Sequence, residues 1–342
     1  MREAEFLKHV GQASRGLASV YPRVIVPPGD DCAVLASPPG PLVLTVDQVI
    51  QGRHFWLPEN AAARASMLDL ACRKGVARSM SDLAAMGATP WCMLATLGIP
   101  QSVTQEETHA MFNSLSKWGA AWDCPLVGGD LSAMPPSPSG MHTSVRRGDG
   151  SPLHLSVTAI GVMMDGRRAT LRSGARPGDG VYVTGSLGGS LEPETGLGHH
   201  LSFEPRIHEA RELVGLLGSS LHAMMDISDG LGIDGARIAD ASAVTMELDA
   251  TSLPASDAAR ARHADSAWRA ALGDGEDYEL LFCASGDAQV PAQLSNGKGG
   301  ATRVTRVGRV VSREPGAPAC VVRTPDGHLI DASGEGFEHG RL

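Results

Sequence analysis

Seven aspartates stand where a short acidic side chain could meet a ligand. They are Asp30 and Asp31 in Pro-Gly-Asp-Asp-Cys, Asp47 in Thr-Val-Asp-Gln, Asp82 in Ser-Asp-Leu-Ala-Ala-Met-Gly and Asp130 in Val-Gly-Gly-Asp. Asp226 and Asp229 share Met-Asp-Ile-Ser-Asp-Gly-Leu. Taken singly, each reads as a helix or turn cap, the ordinary use of Asp beside Gly. Taken as a set they read differently, because several follow apolar strands, and strand ends tend to converge at one rim of a sheet. Carboxylates crowded at a rim repel one another unless cations neutralise them. Magnesium suits that role, being a hard ion that takes oxygen ligands and shares them with phosphates. Such a rim is a template for a nucleoside triphosphate.

Two further segments add to this chemistry. After Asp226 the chain turns through Gly230 into a helix whose N-terminal amides, with the Ser228 hydroxyl, are expected to be free to favour phosphate. Gly275-Glu-Asp-Tyr-Glu-Leu280 packs three acids ahead of a strand. Of the twelve histidines, His54 follows the Asp47 run closely enough to share its site, whereas His199 and His200 read as exposed loop residues. The chain has no G-x-x-x-x-G-K-[ST] loop and no G-x-S-x-G elbow.

The elements that must position these residues follow from periodicity. Strands are expected at 42–50, carrying Asp47, and at 91–99, 154–163, 181–184, 244–248, 278–283 and 303–311. A helix, or two abutting ones, is expected over 61–87 with Asn60 as cap, and further helices over 104–121 from a Thr104/Glu107 capping box and over about 205–217. A strand-turn-helix is expected over 223–240. The Pro/Ser-rich stretch 133–152 reads as a long, mobile hairpin connection. A turn-rich junction at 172–179 marks the passage between two α+β domains, bounded at 1–165 and 166–342.

With 342 residues the chain suits two cores better than one. A formal charge of -9 argues against nucleic acid, whose phosphates need clustered Lys and Arg. No apolar run reaches the roughly 20 residues that span a bilayer. The six cysteines form no C-x-x-C pair and read as reduced thiols, and the charged N-terminus gives no sign of a signal peptide, so the expected location is cytoplasmic.

In order, these segments resemble the thiamine-monophosphate kinase family, within the superfamily of aminoimidazole ribonucleotide synthetase. The resemblance is carried by Gly29-Asp-Asp-Cys-Ala-Val-Leu35, Thr45-Val-Asp-Gln48 with Gly52-Arg-His-Phe55, Ser81-Asp-Leu-Ala-Ala-Met-Gly-Ala88 and Gly128-Gly-Asp130. Arg172-Ser-Gly-Ala-Arg-Pro-Gly-Asp179, Asp226-Ile-Ser-Asp-Gly-Leu231 and Gly275-Glu-Asp-Tyr-Glu-Leu280 complete it, and together they span nearly the whole chain. It implies an α+β (α/β) two-domain fold, with an N-terminal sheet pairing across a homodimer and a C-terminal α+β domain closing over the site. The implied activity is ATP-dependent phosphorylation of thiamine monophosphate by direct in-line transfer. Asp30, Asp31, Thr45, Asp47, Asp82, Asp130, Asp226 and Asp229 would hold or support several Mg2+ ions. Gly129, Asp130, Arg168 and Ser228 would contact ATP, and His54, Glu276 and Phe337 the thiamine phosphate; Phe337 rests on Gly336-Phe-Glu-His339 resembling the family's Gly-Tyr-Asp-His ending.

The chain departs from the family pattern at Val46, where a hydroxyl residue usually precedes the aspartate, at Ser79 for asparagine, and at Leu131 for threonine. The 133–152 stretch is also longer than the family's connection. Two alternatives stand beside the kinase reading. One is another ATP-using enzyme of the same superfamily, against which Gly-Glu-Asp-Tyr-Glu-Leu speaks. The other is a non-catalytic ATP-binding relative, for which Val46 is the best support.

Overall fold

The structure, a computed structural model, describes residues 3–135 and 151–337. Its contacts divide the chain into two compact units: Met1–Leu83 with Thr89–Gly166, and Ala84–Ala88 with Arg167–Leu342.

The first unit opens with helices α1 (Glu3–Ala13) and α2 (Leu17–Val20) and a small ladder of β1 (Val24–Val26) with β2 (Val34–Leu35). Then come β3 (Leu42–Ile50), α3 (Ala61–Ala85), β4 (Thr89–Ile99), α4 (Gln105–Ala121), β5 (Leu126–Ala133) and β6 (His154–Val162). Asn60 Oδ1 accepts the Ala63 amide at the start of α3, and the Thr104/Glu107 capping box opens α4 as its sequence spacing predicts. The four-stranded sheet runs β3-β6-β4-β5, so β3 and β5 are its two edges.

Alternation along β3 decides which side chains share a face. Thr45, Asp47 and Val49 turn toward α3, while Leu42, Leu44 and Val46 are exposed on the opposite face. Leu94 lies in the same cross-strand row as Val46 and extends this open apolar face. On the covered face α3 comes close enough that a Cβ on Gly75 would meet Leu155 of β6 at 2.7 Å.

Two expectations fail in this unit. The Gly128-Gly-Asp130 segment lies inside β5 and not in a turn: its paired glycines carry little strand propensity, so the parallel ladder with β4 fixes it instead. The strands flanking 133–152 are not ladder partners, since β6 lies between β3 and β4, so no hairpin links them. Most of that stretch, residues 136–150, lies outside the described residues.

The second unit contains β7 (Gly180–Thr184), α5 (His199–Ser202), α6 (Ile207–Leu217), β8 (Leu221–Asp226), α7 (Leu231–Ser242), β9 (Val244–Asp249), α8 (Asp257–His263) and α9 (Ala267–Gly273). It ends with β10 (Leu280–Ala284), β11 (Gln293–Ser295), β12 (Ala301–Ser312), β13 (Cys320–Arg323) and β14 (Leu329–Asp331). The eight-stranded sheet runs β14-β13-β9-β12-β7-β10-β8, with β11 added on β12. One face buries Val181, Val183, Met225, Met246, Leu281 and Val310 against α7 and α9. The antiparallel β8–β10 pair sets Leu280 opposite Asp226, which brings the Asp226–Asp229 and Gly275–Glu279 segments side by side.

Candidate active site

In the first unit the Asp47 carboxylate is held on both oxygens. Ser79 Oγ donates to Oδ2 over 3.1 Å, and Arg78 Nη2 lies 3.3 Å from Oδ1. Ser79 also lies 3.1 Å from the Val157 carbonyl, so its hydroxyl ties α3 to the sheet at this point. One turn along α3, Asp82 accepts a short hydrogen bond from Thr45 Oγ1. Thr45, Asp47 and Asp82 therefore belong to one oxygen-rich patch between β3 and α3. Val46, which departs from the family pattern, points to the open face and is not part of this patch.

Asp130 lies elsewhere. It sits on β5, the edge opposite β3, one residue beyond the row joining Asp47, Val157, Ala95 and Gly129. With strands about 4.8 Å apart, three spacings separate the two carboxylates by roughly 14 Å. Within the unit they do not share one rim. Asp130 instead lines, with Asp30 and Asp31 of the β1–β2 loop, a cavity of about 470 Å³ whose remaining wall is mostly apolar. Leu131 lines it too. Gly129 makes β5 fit, since a Cβ there would overlap the Ala95 carbonyl oxygen. Among the described residues, no three His, Cys, Asp or Glu side chains gather closely enough to hold a metal ion unaided.

His54 is fixed by the turn after β3. Its Nδ1 accepts the Ile50 amide over 2.9 Å, which leaves the Nε2 to carry the ring hydrogen of a neutral imidazole. The buried Phe55 beside it anchors the turn.

In the second unit the structure brings Asp226, Ser228, Asp229, Glu276 and Phe337 into one neighbourhood. The Glu276 amide donates to the Ser228 carbonyl and the Phe337 amide to the Asp229 carbonyl, each over 2.8 Å. Asp226 is buried at the end of β8. Phe337 is about half exposed, and His339 lies outside the described residues. Arg168 is exposed just beyond the unit boundary.

The turn into α7 corrects one expectation. The amides of Ser228, Asp229 and Gly230 are not free for phosphate: Asp234 Oδ2 accepts all three, over 3.0, 2.9 and 3.2 Å. An acid in the first turn of a helix satisfies these donors itself. Arg237 Nη1 then bridges Asp234 Oδ1 at 2.5 Å and Asp229 Oδ2 at 2.6 Å.

His200 corrects another. It is buried in α5 and not in an exposed loop, with Nδ1 3.0 Å from Glu276 Oε2. Asp277, next to Glu276, is also buried, and burial pushes its carboxyl up to about 8 against the bonds it accepts from Ser190 and Gly188. Arg78, Asp234 and His200 are the residues that motif reading missed. Only Asp234 left a signal, as an acid four residues past a helix-opening glycine.

Comparison with known proteins bears on the chain as a whole. The family model of the AIR synthase related protein N-terminal domain matches residues 29–163, and that of the C-terminal domain matches residues 176–319. The thiamine-monophosphate kinase of Rhodopirellula baltica is 34% identical over 323 residues, covering 91% of this chain and 90% of that protein. The thiamine-monophosphate kinase of Escherichia coli K12 is 32% identical over 330 residues, with the same coverage. The crystal structure of thiamine-monophosphate kinase from Stenotrophomonas maltophilia K279a superposes with a TM-score of 0.71 at 27% identity, covering 93% of this chain and 96% of that one. AaThiL complexed with AMPPCP and TMP gives a TM-score of 0.68 at 25% identity, covering 99% of each chain.

Proposed function

The chain belongs to the thiamine-monophosphate kinase family, and from that premise we propose that it transfers the γ-phosphoryl group of ATP to thiamine monophosphate. A phosphate oxygen of the acceptor attacks the γ-phosphorus in line, the bond from that phosphorus to the β–γ bridging oxygen breaks, and ADP and thiamine diphosphate result. The observation that carries this reading is the similarity to thiamine-monophosphate kinases over nine-tenths of the chain.

The acceptor phosphate is already ionised at neutral pH, so no side chain need act as a strong base. Asp47, gripped by Ser79 and Arg78, and Asp82, gripped by Thr45, are oriented before any ligand arrives. Asp30, Asp31 and Asp130 line the apolar cavity, which suits the base and sugar of a nucleotide. Glu276 and His54 are assigned to the thiamine phosphate.

The donor set fits magnesium. Around Asp47 the atoms that could ligate it are carboxylate and hydroxyl oxygens, with the Arg78 guanidinium 3.3 Å from one of them, and magnesium is usually held by one or two carboxylates together with substrate phosphates and water, not by a full protein cage. Bound there, it would neutralise the triphosphate and favour charge build-up on the bridging oxygen.

The same reading includes a homodimer and a cytoplasmic location. Leu42, Leu44, Val46 and Leu94 make an open apolar sheet face of the kind a second copy would cover. No helix among the described residues is long and apolar enough to cross a membrane.

Product analysis tests the reaction. Purified chain with ATP and magnesium should convert thiamine monophosphate to the diphosphate and leave unphosphorylated thiamine untouched. Thiamine proving the better acceptor would exclude this reading.

A further inference from the structure

We propose that His200 is a positioning residue that fixes the Glu276 carboxylate for recognition of the phosphoryl acceptor, an inference that rests on the reading of Glu276 as a substrate contact.

The argument starts from the backbone. Glu276 and Tyr278 adopt φ of 56° and 53°, a conformation that side-chain-bearing residues rarely take and that persists only where the surroundings hold it. The surroundings here form a closed ring of bonds. His200 Nδ1 faces Glu276 Oε2 at 3.0 Å, and its Nε2 faces the Gly196 carbonyl at 3.2 Å. The His200 amide donates to the Ser190 carbonyl over 3.0 Å. Ser190 Oγ in turn donates to Asp277 Oδ1 over 2.5 Å, which returns the ring to the residue after Glu276. Phe203, just past α5, stacks on Tyr278 with ring centroids 3.8 Å apart.

The pairing is asymmetric. The His200 side chain is 1% exposed and that of Glu276 31%. A buried ring is thus committed to aiming a partly open acid, the arrangement expected of a shell that pre-orients a binding group. Glu276 then meets its ligand with one oxygen held, and little side-chain freedom is left to lose on binding.

Two amide substitutions separate positioning from bulk. In H200N the side-chain NH2 falls near the place of Nδ1 and keeps the bond to Glu276. In H200Q it falls near Nε2, keeps the Gly196 bond and releases Glu276. The expected result is a KM for thiamine monophosphate raised about tenfold in H200Q and less than about threefold in H200N. The kcat and the KM for ATP should stay within about twofold in both. In an E276Q background, H200Q should add almost nothing, since it acts through the acid already removed. Equal effects of H200N and H200Q, an unmoved KM for the acceptor, or effects that multiply in the double variant would each overturn the proposal. E276Q that raises that KM while H200Q does not would sink the role of His200 alone. E276Q with no effect would remove the assignment of Glu276 and His200 together.

Discussion

Arg78 and Asp47 form an ion pair, with Nη2 3.3 Å from Oδ1, across the seam between α3 and β3. Both side chains are largely buried, at 19% and 15% exposure. The Asp47 carboxylate thus already faces a cation of the chain, while Asp82 shares its patch and Asp130 lies on the far edge of the sheet.

This pairing fixes the sign of the D47N phenotype. Asparagine keeps an acceptor for Ser79 but loses the charge that meets Arg78. Without metal the variant should unfold about 1 kcal/mol more easily, and turnover should fall by orders of magnitude, partly restored by raised magnesium. D130N, on an exposed edge, should lose turnover similarly while its metal-free stability moves by less than about 0.5 kcal/mol. Denaturant unfolding in EDTA and assays at low magnesium check both. Near-normal turnover at low magnesium would exclude that residue from the site, and a stabilised D47N would show that the Arg78 pair contributes nothing.

Much of this arrangement was legible in the residues. The Asp47 strand, the Asn60 and Thr104 caps and the strand-turn-helix at Asp226 all carry strong local signals, because period and capping chemistry act within a few residues. What escaped was set by tertiary contact. Asp130 lies in a strand whose paired glycines suggest a turn, and only the ladder with β4 overrides that. Convergence of aspartates at one rim could not be judged without strand order, which puts Asp47 and Asp130 on opposite edges. His200 reads as a loop residue because α5 is four residues long and its burial comes from partners far along the chain. Asp234 belongs to none of the quoted acidic motifs, yet it closes the turn expected to be open for phosphate, because the chain folds its carboxylate back onto three amides.

Asp234 yields a second prediction. Its carboxylate is fully buried and accepts three amides while pairing with Arg237. D234A leaves those amides without an acceptor and should cost about 3 kcal/mol. D234N, which keeps a neutral acceptor, should lose about half as much. Urea unfolding measures both, and a loss below about 1 kcal/mol in D234A would show that water replaces the carboxylate.

Asp277 gives a prediction with a definite pH window. Its Oδ1 accepts from Gly188 N over 2.9 Å and from Ser190 Oγ over 2.5 Å, while Oδ2 is buried with no hydrogen-bond partner among the described residues. Burial raises the carboxyl from 3.8 to about 8, so the folded chain keeps this proton to higher pH than the unfolded chain does. Between those values the native state binds more protons, and the derivative of unfolding free energy with pH is negative. The stabilisation is fully present below about pH 4 and is lost as pH rises toward 8. Asparagine cannot titrate, yet its Oδ1 can accept both bonds. D277N should therefore melt close to the parent at pH 5 and above it at pH 8.5, with a gap of about 5 °C or more. All other titrating groups are common to the two proteins, so the difference between their melting curves isolates this carboxyl. Curves that stay parallel from pH 5 to pH 8.5 would mean that Asp277 is ionised throughout.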